Sequence, residues 1–477
     1  MKEVFAFFLE ICRIPRESGH EALIIAYLQE FAKKRGLPHA TDAAGNVVIS
    51  KPASPGMEAR PLVVLQSHVD MVCEKNADCN HDFAKDPIPV YEEEGWLKAR
   101  GTTLGADDGI GVAAQLALLD NKNLIHGPVE CLFTVAEETG LDGARALKPP
   151  FITGKILLNL DSEDEGEIFI GCAGGIDTTA RFSYTPVPRP ASQSLAYKFM
   201  LSGGTGGHSG DEIHKGLANA NQLLARFLWQ AQQSLDFGIA FIQGGNKRNA
   251  IAREAWAVCS IAPEQETAWK ALVQQTAAEY AIEYAHTDPE LQFQALPEAA
   301  LPSEIIDAGC SQRLISALYS CPHGVMAMSK AIPGLVETSS NLASIRMEEG
   351  NSIRIGTSQR SSLNSARFHA ARRIEALFAL AGAQVSHESE YPGWAPNPAS
   401  PILQVAVASY RRLFQTEPAV KAIHAGLECG IFLDAFPDLD MISFGPTLRG
   451  VHAPGEKLEI ASVQKFWDLL LDIVAHV

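Results

Sequence analysis

Leu62-Val63-Val64-Leu65-Gln66-Ser67-His68-Val69-Asp70 is an apolar run that stops at a histidine, with an aspartate two residues on. A short Leu/Val run bounded by Pro61 and a polar end reads as a strand buried in a parallel or mixed sheet. In open α/β sheets, ligands gather outside the carboxyl ends of the strands. A histidine at that end is placed to bind metal, and Asp70 behind it can orient the ring or hold a water. A His-x-Asp triplet occurs by chance in many chains. This one gains weight because the same residue types recur at the ends of further strand-like runs.

Outward from that run, Thr102 to Gly111 is a loop of small residues carrying Asp107 and Asp108, and a helix with Val112, Leu116 and Leu119 on one face follows directly. Val129 to Ala136 reads as a strand ending in Glu137-Glu138-Thr139-Gly140. Lys155 to Leu160 reads as a strand ending in Asp161, and Met441 to Gly445 as one whose trailing loop reaches His452. At the N-terminus, Glu3 to Cys12 has helical apolar spacing. Ser18-Gly19-His20-Glu21 has the form of a capping box before a helix over Ala22 to Lys34, closed by Gly36. Glu92-Glu93-Glu94 reads as a solvated turn.

The 477 residues, 46% hydrophobic, can bury at least two ordinary cores. Mean hydropathy is close to zero and no stretch is apolar enough to span a bilayer. Met1-Lys2-Glu3-Val4-Phe5 lacks a signal-peptide layout. Nine scattered cysteines point to a reduced, cytoplasmic protein, with Cys73 and Cys79 as ordinary buried thiols. A net charge of −17 argues against nucleic acid and anionic membranes as partners.

Composition shifts at Tyr184-Thr185-Pro186-Val187-Pro188-Arg189-Pro190, which looks like an inter-domain connection, and again between Glu388 and Pro401. The reading is a catalytic domain formed by residues 1–185 and 391–477, interrupted by an inserted α+β domain over residues 186–390. An insert of this size has room for two βαββαβ halves.

His68, Asp70, Asp107, Asp108, Glu137, Glu138, Asp161 and His452 all fall at strand ends or in loops. Singly, each is a common surface or structural residue. Together, several strands point carboxylates and imidazoles the same way, and such a cluster repels itself unless cations neutralise it. Mixed His and carboxylate ligands without thiolate suit zinc, manganese or cobalt. Two ions sharing a bridging carboxylate would generate hydroxide and stabilise an oxyanion, while one acid of an adjacent glutamate pair stays off the metals as the base.

This arrangement resembles the di-zinc metallopeptidase family of aminoacylases, carboxypeptidase G-type enzymes and cytosolic dipeptidases. The stretches that carry the resemblance are Gln66 to Val72, Gly105 to Gly109, Glu137 to Gly140, Asn159 to Glu163, Gly203 to Gly210 and His424 to Gly430. The resemblance implies a zinc-exopeptidase-like three-layer αβα catalytic domain, with a ferredoxin-like insert acting as lid and dimerisation domain. It implies hydrolysis of unblocked dipeptides, Xaa-His substrates such as carnosine among them. His68 and Asp161 would bind one metal, Glu138 and His452 the second, and Asp107 both, with a cis peptide bond after it. Asp70 would tune His68, and Glu137 would be the general base. His208 would stabilise the oxyanion from a partner subunit, which implies a homodimer or a closing lid. Asn249 resembles a substrate-contacting residue. Arg360 could clamp a substrate carboxylate, with a solvated surface arginine as the competing reading. His424 is a further candidate, with a hydrogen-bonded structural histidine as its competitor. An aminoacylase or tripeptidase on the same scaffold would share all the metal residues. A non-catalytic metal-binding dimer would have lost Glu137 or a ligand, and a plain α/β binding protein would hold no metal.

Overall fold

Val63–His68 is a strand buried along its whole length, and it lies inside an eight-stranded sheet. The computed structural model describes residues 1–477. They form two units, one of residues 1–172, 394–422 and 427–477, the other of residues 173–393 and 423–426.

The sheet of the first unit contains β1 (His39–Thr41), β2 (Val47–Lys51), β3 (Val63–His68), β6 (Val129–Thr134), β7 (Ile156–Asn159), β8 (Glu167–Cys172), β20 (Ala419–Ile423) and β21 (Asp440–Ser443). Their order is β1-β2-β6-β3-β7-β21-β8-β20. The middle four, β6-β3-β7-β21, run parallel. β3 and β6 are buried on both faces, as the unbroken apolar runs require, because helices cover a parallel sheet on both sides. Those helices are α1 (Lys2–Ile11), α2 (Ala22–Arg35), α3 (Ala106–Asp120), the short α4 (Glu137–Gly140) and α5 (Asp142–Ala146), and α10 (Pro401–Phe414), α11 (Glu428–Ala435) and α12 (Ile460–His476). β4 (Val90–Glu93), β5 (Trp96–Ala99), β22 (Leu448–Arg449) and β23 (Lys457–Glu459) make a small sheet of their own.

The second unit is built on a nine-stranded sheet. Its strands are β9 (Gly174–Ser183), β11 (Leu195–Ser202), β12 (Phe237–Gly244), β13 (Ala255–Ile261), β14 (Gln292–Pro297), β16 (Gly324–Met328), β17 (Val336–Glu348), β18 (Ser352–Ser361) and β19 (Gln384–Tyr391). They run β14-β11-β13-β12-β17-β18-β9-β19, with β16 also on β17. Helices α6 (Ala220–Ala231), α7 (Glu266–Glu283), α8 (Ala308–Ser320) and α9 (Asn364–Leu380) bury Phe227, Trp269, Leu314 and Phe378 in one continuous core with Phe199 and Phe182 from the strands.

Four sequence expectations change. The Pro-rich run 184–190 is no connection between units. It forms edge strand β10 (Pro186–Pro188) on β15 (Glu304–Ile306) inside the second unit, and the unit boundary falls at residues 172 and 173. Proline tolerates an edge strand, which is why composition misleads here. Ser18 is not an N-cap. Its hydroxyl donates to Asp70 Oδ2 at 2.7 Å, while Glu21 accepts from the amides of Gly19 and Ala136. Glu92 and Glu93 belong to β4, and only Glu94 turns the chain, at φ 50°. Cys73 and Cys79 are half-buried, and all nine cysteines are free thiols. No helix is long and apolar enough to cross a membrane.

Candidate metal centre

The parallel strands of the first unit deliver their chemistry to one edge of the sheet. His68, the last residue of β3, pairs in register with Thr134 of β6, and the chain beyond Thr134 leads to Glu137 and Glu138. Gln66 pairs with Asn159 of β7, two residues before Asp161, and Asn159 pairs with Ser443 of β21. Asp107 comes from the irregular first turn of α3, and the Asp107–Asp108 peptide bond is cis. His452 follows β22 with a left-handed φ of 61°.

Two clusters meet on Asp107. Its Oδ1 lies 3.1 Å from His68 Nε2, and its Oδ2 lies 3.1 Å from His452 Nε2. Asp161 Oδ1 is 3.6 Å from the same His68 nitrogen, and Glu138 Oε1 is 3.0 Å from the same His452 nitrogen. On the other side of the ring, His68 Nδ1 is 3.4 Å from Asp70 Oδ1. Asp70 also accepts from the amides of Glu137 (3.1 Å) and Glu138 (3.2 Å), so one buried carboxylate orients His68 and holds the adjacent glutamate pair.

The electrostatics record an excess of negative charge. Burial alone would lower His68, but Asp161 and hydrogen bonds to Asp107, Asp161 and Asp70 raise it well above the ordinary histidine range. Hydrogen bonds to Asp107 and Glu138 lift His452 to about 11. Burial would raise Asp70, yet His68 and Ser18 hold it down at about 2. Burial pushes Glu137 and Asp161 up strongly, reinforced by Glu428, Glu138 and Asp107 at Glu137 and by Asp107 at Asp161. Glu163 rises to about 7 through burial and Asp107.

Several residues that build this site carry no local signal in the sequence. Glu456 accepts the amides of Leu104 (2.7 Å), Gly105 (2.9 Å), Ala106 (2.7 Å) and Asp107 (3.4 Å), and so fixes the turn that presents Asp107. Arg16 is buried and donates to the carbonyls of Val69 (2.9 Å), Asp70 (3.0 Å) and Gly105 (2.5 Å). Glu428 is fully buried behind the site. Its Oε2 accepts from Gln66 Nε2 (2.5 Å) and Thr134 Oγ1 (2.9 Å), and burial lifts its carboxyl to about 7. Glu428 stands in one of the quoted motifs, but nothing in the motif shows that it lies under β3 and β6.

Four predicted site residues belong to the second unit. His208 Nδ1 accepts the Asp211 amide at 3.2 Å and lies 3.2 Å from Asp211 Oδ2. Asn249 is exposed, and its carbonyl accepts from Ser209 N at 2.9 Å. Arg360 is buried, not a solvated surface residue, and donates to Tyr391 Oη at 2.9 Å. His424 is buried with Nε2 2.8 Å from Ser339 Oγ, and burial followed by Arg360 lowers it to about 4.

The donor set around Asp107 fits divalent metal. Ligand atoms of His68, Asp107 and Glu138 lie within 4.8 Å of one another. Two imidazoles face three carboxylates whose repulsion only a cation of higher charge would relieve.

Comparison with known proteins agrees. The model of peptidase family M20/M25/M40 matches residues 64–476. A cytosol non-specific dipeptidase from Escherichia coli (strain K12) is 42% identical over 470 residues, 98% of this chain and 96% of that protein. The crystal structure of an aminoacylhistidine dipeptidase from Vibrio alginolyticus superposes with a TM-score of 0.93 at 41% identity, covering 100% of this chain and 96% of that one. A tripeptidase from Staphylococcus aureus shares the fold, with a TM-score of 0.57 at 17% identity over 99% of this chain and 97% of that one. With the family model spanning most of its length, the chain belongs to peptidase family M20/M25/M40 and is a peptide hydrolase.

Proposed function

We propose that the chain hydrolyses the single peptide bond of unblocked dipeptides, Xaa-His peptides such as carnosine among them, at a centre of two divalent ions. The observation that carries this reading is Asp107, whose two oxygens each lie 3.1 Å from a different imidazole. His68, Asp161 and one Asp107 oxygen would hold one ion. His452, Glu138 and the other oxygen would hold the second. Zinc suits these donors best, with cobalt or manganese as substitutes. Bound ions of this kind lower the pKa of a water and stabilise charge on a carbonyl oxygen.

Glu137 is outside both ligand sets, and Asp70 holds its amide beside Glu138. It takes the proton of the attacking water and returns it to the leaving amine. Asp70 keeps the His68 ring oriented through Nδ1. His208 serves as oxyanion donor. Arg360 binds the substrate carboxylate, and Asn249 and His424 complete its contacts. The names of the Escherichia coli and Vibrio relatives support the dipeptide preference, and the former also supports a cytoplasmic place of action.

The test strips the purified protein with chelator, refills it with zinc, cobalt or manganese, and assays an Xaa-His dipeptide beside N-acetylated amino acids. Activity should return with metal. Glu137→Gln should bind the same metal while kcat falls about 10²–10⁴-fold. Turnover of acylated amino acids alone would make the protein an aminoacylase.

A further inference from the structure

A row of polar side chains crosses the parallel strands of the first unit behind the ligand positions. Thr134 of β6, Gln66 of β3, Asn159 of β7 and Ser443 of β21 each contribute one. Ser162 closes one end of the row and Glu428, the first residue of α11, the other. All six are buried. Gln66 stands two residues before His68 on the same strand and so shares its face. Asn159 stands two residues before Asp161, whose amide donates to Asn159 Oδ1 at 3.4 Å.

The row has a direction. Ser443 Oγ donates to Asn159 Oδ1 (2.5 Å), Asn159 Nδ2 to Gln66 Oε1 (2.6 Å), and Gln66 Nε2 to Glu428 Oε2 (2.5 Å). With the Ser443 proton so used, the 2.6 Å contact between Ser162 Oγ and Ser443 Oγ takes its proton from Ser162. Thr134 Oγ1 gives Glu428 Oε2 a second donor at 2.9 Å. Every proton of the row thus points toward Glu428. Donors aligned head to tail polarise one another and strengthen the last bond of the chain. The N-terminal end of the α11 dipole acts in the same sense. Both features favour a negative charge on Glu428.

No side chain nearby balances that charge. Burial opposes it, and Oε1 is buried without a hydrogen-bond partner. The charge repels Asp70 and Glu137 and attracts His68, so it is felt at the centre itself. A buried carboxylate persists only where a cation or a full set of donors compensates it. Glu428 has half such a set, on one oxygen, and the cations that complete it are those the ligands around Asp107 would hold.

We infer that Glu428 is a buried counter-charge to the metal centre, kept ionised by the row of donors and touching neither ion. The inference rests on the two-ion reading of the site. In the loaded protein its attraction adds to that of the ligands. In the stripped protein the same charge adds only repulsion.

The test compares wild type with Glu428→Gln, which keeps an oxygen for Gln66 and Thr134 and removes the charge. Zinc affinity, measured by competition with a chromophoric chelator, should fall about 10–100-fold. The stripped variant should melt no lower than stripped wild type, because losing the charge relieves the repulsion from Asp70 and Glu137. A residue that served only as scaffold would lower the stripped melting temperature. That result, or wild-type zinc affinity, would overturn the inference and leave the two-ion reading standing. Thr134→Val removes one donor to Oε2 and gives a second reading where the first variant does not accumulate as soluble protein. It should weaken zinc binding in the same direction, and unchanged affinity there would overturn the inference too. Absence of zinc binding in the wild type itself would remove the two-ion reading, and the inference with it.

Discussion

Glu456 shows how one carboxylate can shape a catalytic turn. It is nearly fully buried, and it accepts amides from four successive residues, so replacing it leaves several main-chain donors without a partner. Each buried unsatisfied donor costs on the order of 1–3 kcal/mol. Glu456→Ala should lose about 2–4 kcal/mol in urea unfolding and should bind metal more weakly, because Asp107 hangs from that turn. Wild-type stability and affinity in this variant would refute the role. Asp70 acts one step further from the reaction. Asp70→Asn keeps the shape but weakens the hold on His68 Nδ1, so metal affinity should drop about 10–100-fold, as measured by competition with a chromophoric chelator.

Among elements, α3 approaches β3 only because Gly111 faces it. A Cβ there would overlap Asp108 Oδ1 and Ser67 Oγ. Gly111→Ala should cost about 1–3 kcal/mol in thermal or urea melts, and kcat should fall as the Asp107 end of the helix is displaced. A variant that melts and turns over like wild type would show that the helix has room to shift. The seam between β12 and β17 offers a contrasting case. Asn341→Ala leaves the Arg248 and Ala250 carbonyls without their donor. The Asn249 loop should loosen and KM rise more than kcat falls. Equal losses in both would place Asn341 in the chemical step instead.

For the molecule as a whole, pH and metal set stability in opposite parts of the chain. His323 and His424 in the second unit are each lowered to about 4, first of all by burial. Unfolded histidines titrate near 6.5, so the unfolded chain takes up protons first as pH falls. The stability these groups preserve is complete above about pH 6.5 and is lost toward pH 4. His323→Gln should flatten that slope in melts recorded between pH 7 and 4.5, and an unchanged slope would mean His323 does not contribute. In the first unit, the crowded acids around Asp107 should make the metal-stripped protein less stable. Added zinc should restore about 2.7 kcal/mol at a hundredfold excess over Kd.

The sequence by itself determined the local elements and the chemistry at their ends. The Leu62–Leu65 run, the strands before Glu137 and Asp161, and the loop bearing Asp107 are legible because a buried parallel strand needs an unbroken apolar run. Ligand-type residues at strand ends then stand out, and the resemblance pairs them. Tertiary structure alone decided what holds them in place. Glu456 meets Leu104 across 352 residues and Glu428 meets Gln66 across 362, distances over which no periodicity reports a contact. Ser18 has the pattern of a helix cap, yet its hydroxyl is taken by Asp70, 52 residues on. The Pro-rich run has the composition of a linker, yet it pairs as an edge strand. The pairing of β12 with β17 was beyond reach for the same reason. Strand order depends on which edges find each other in space, and the hydrophobic pattern of each strand is the same whichever neighbour it takes.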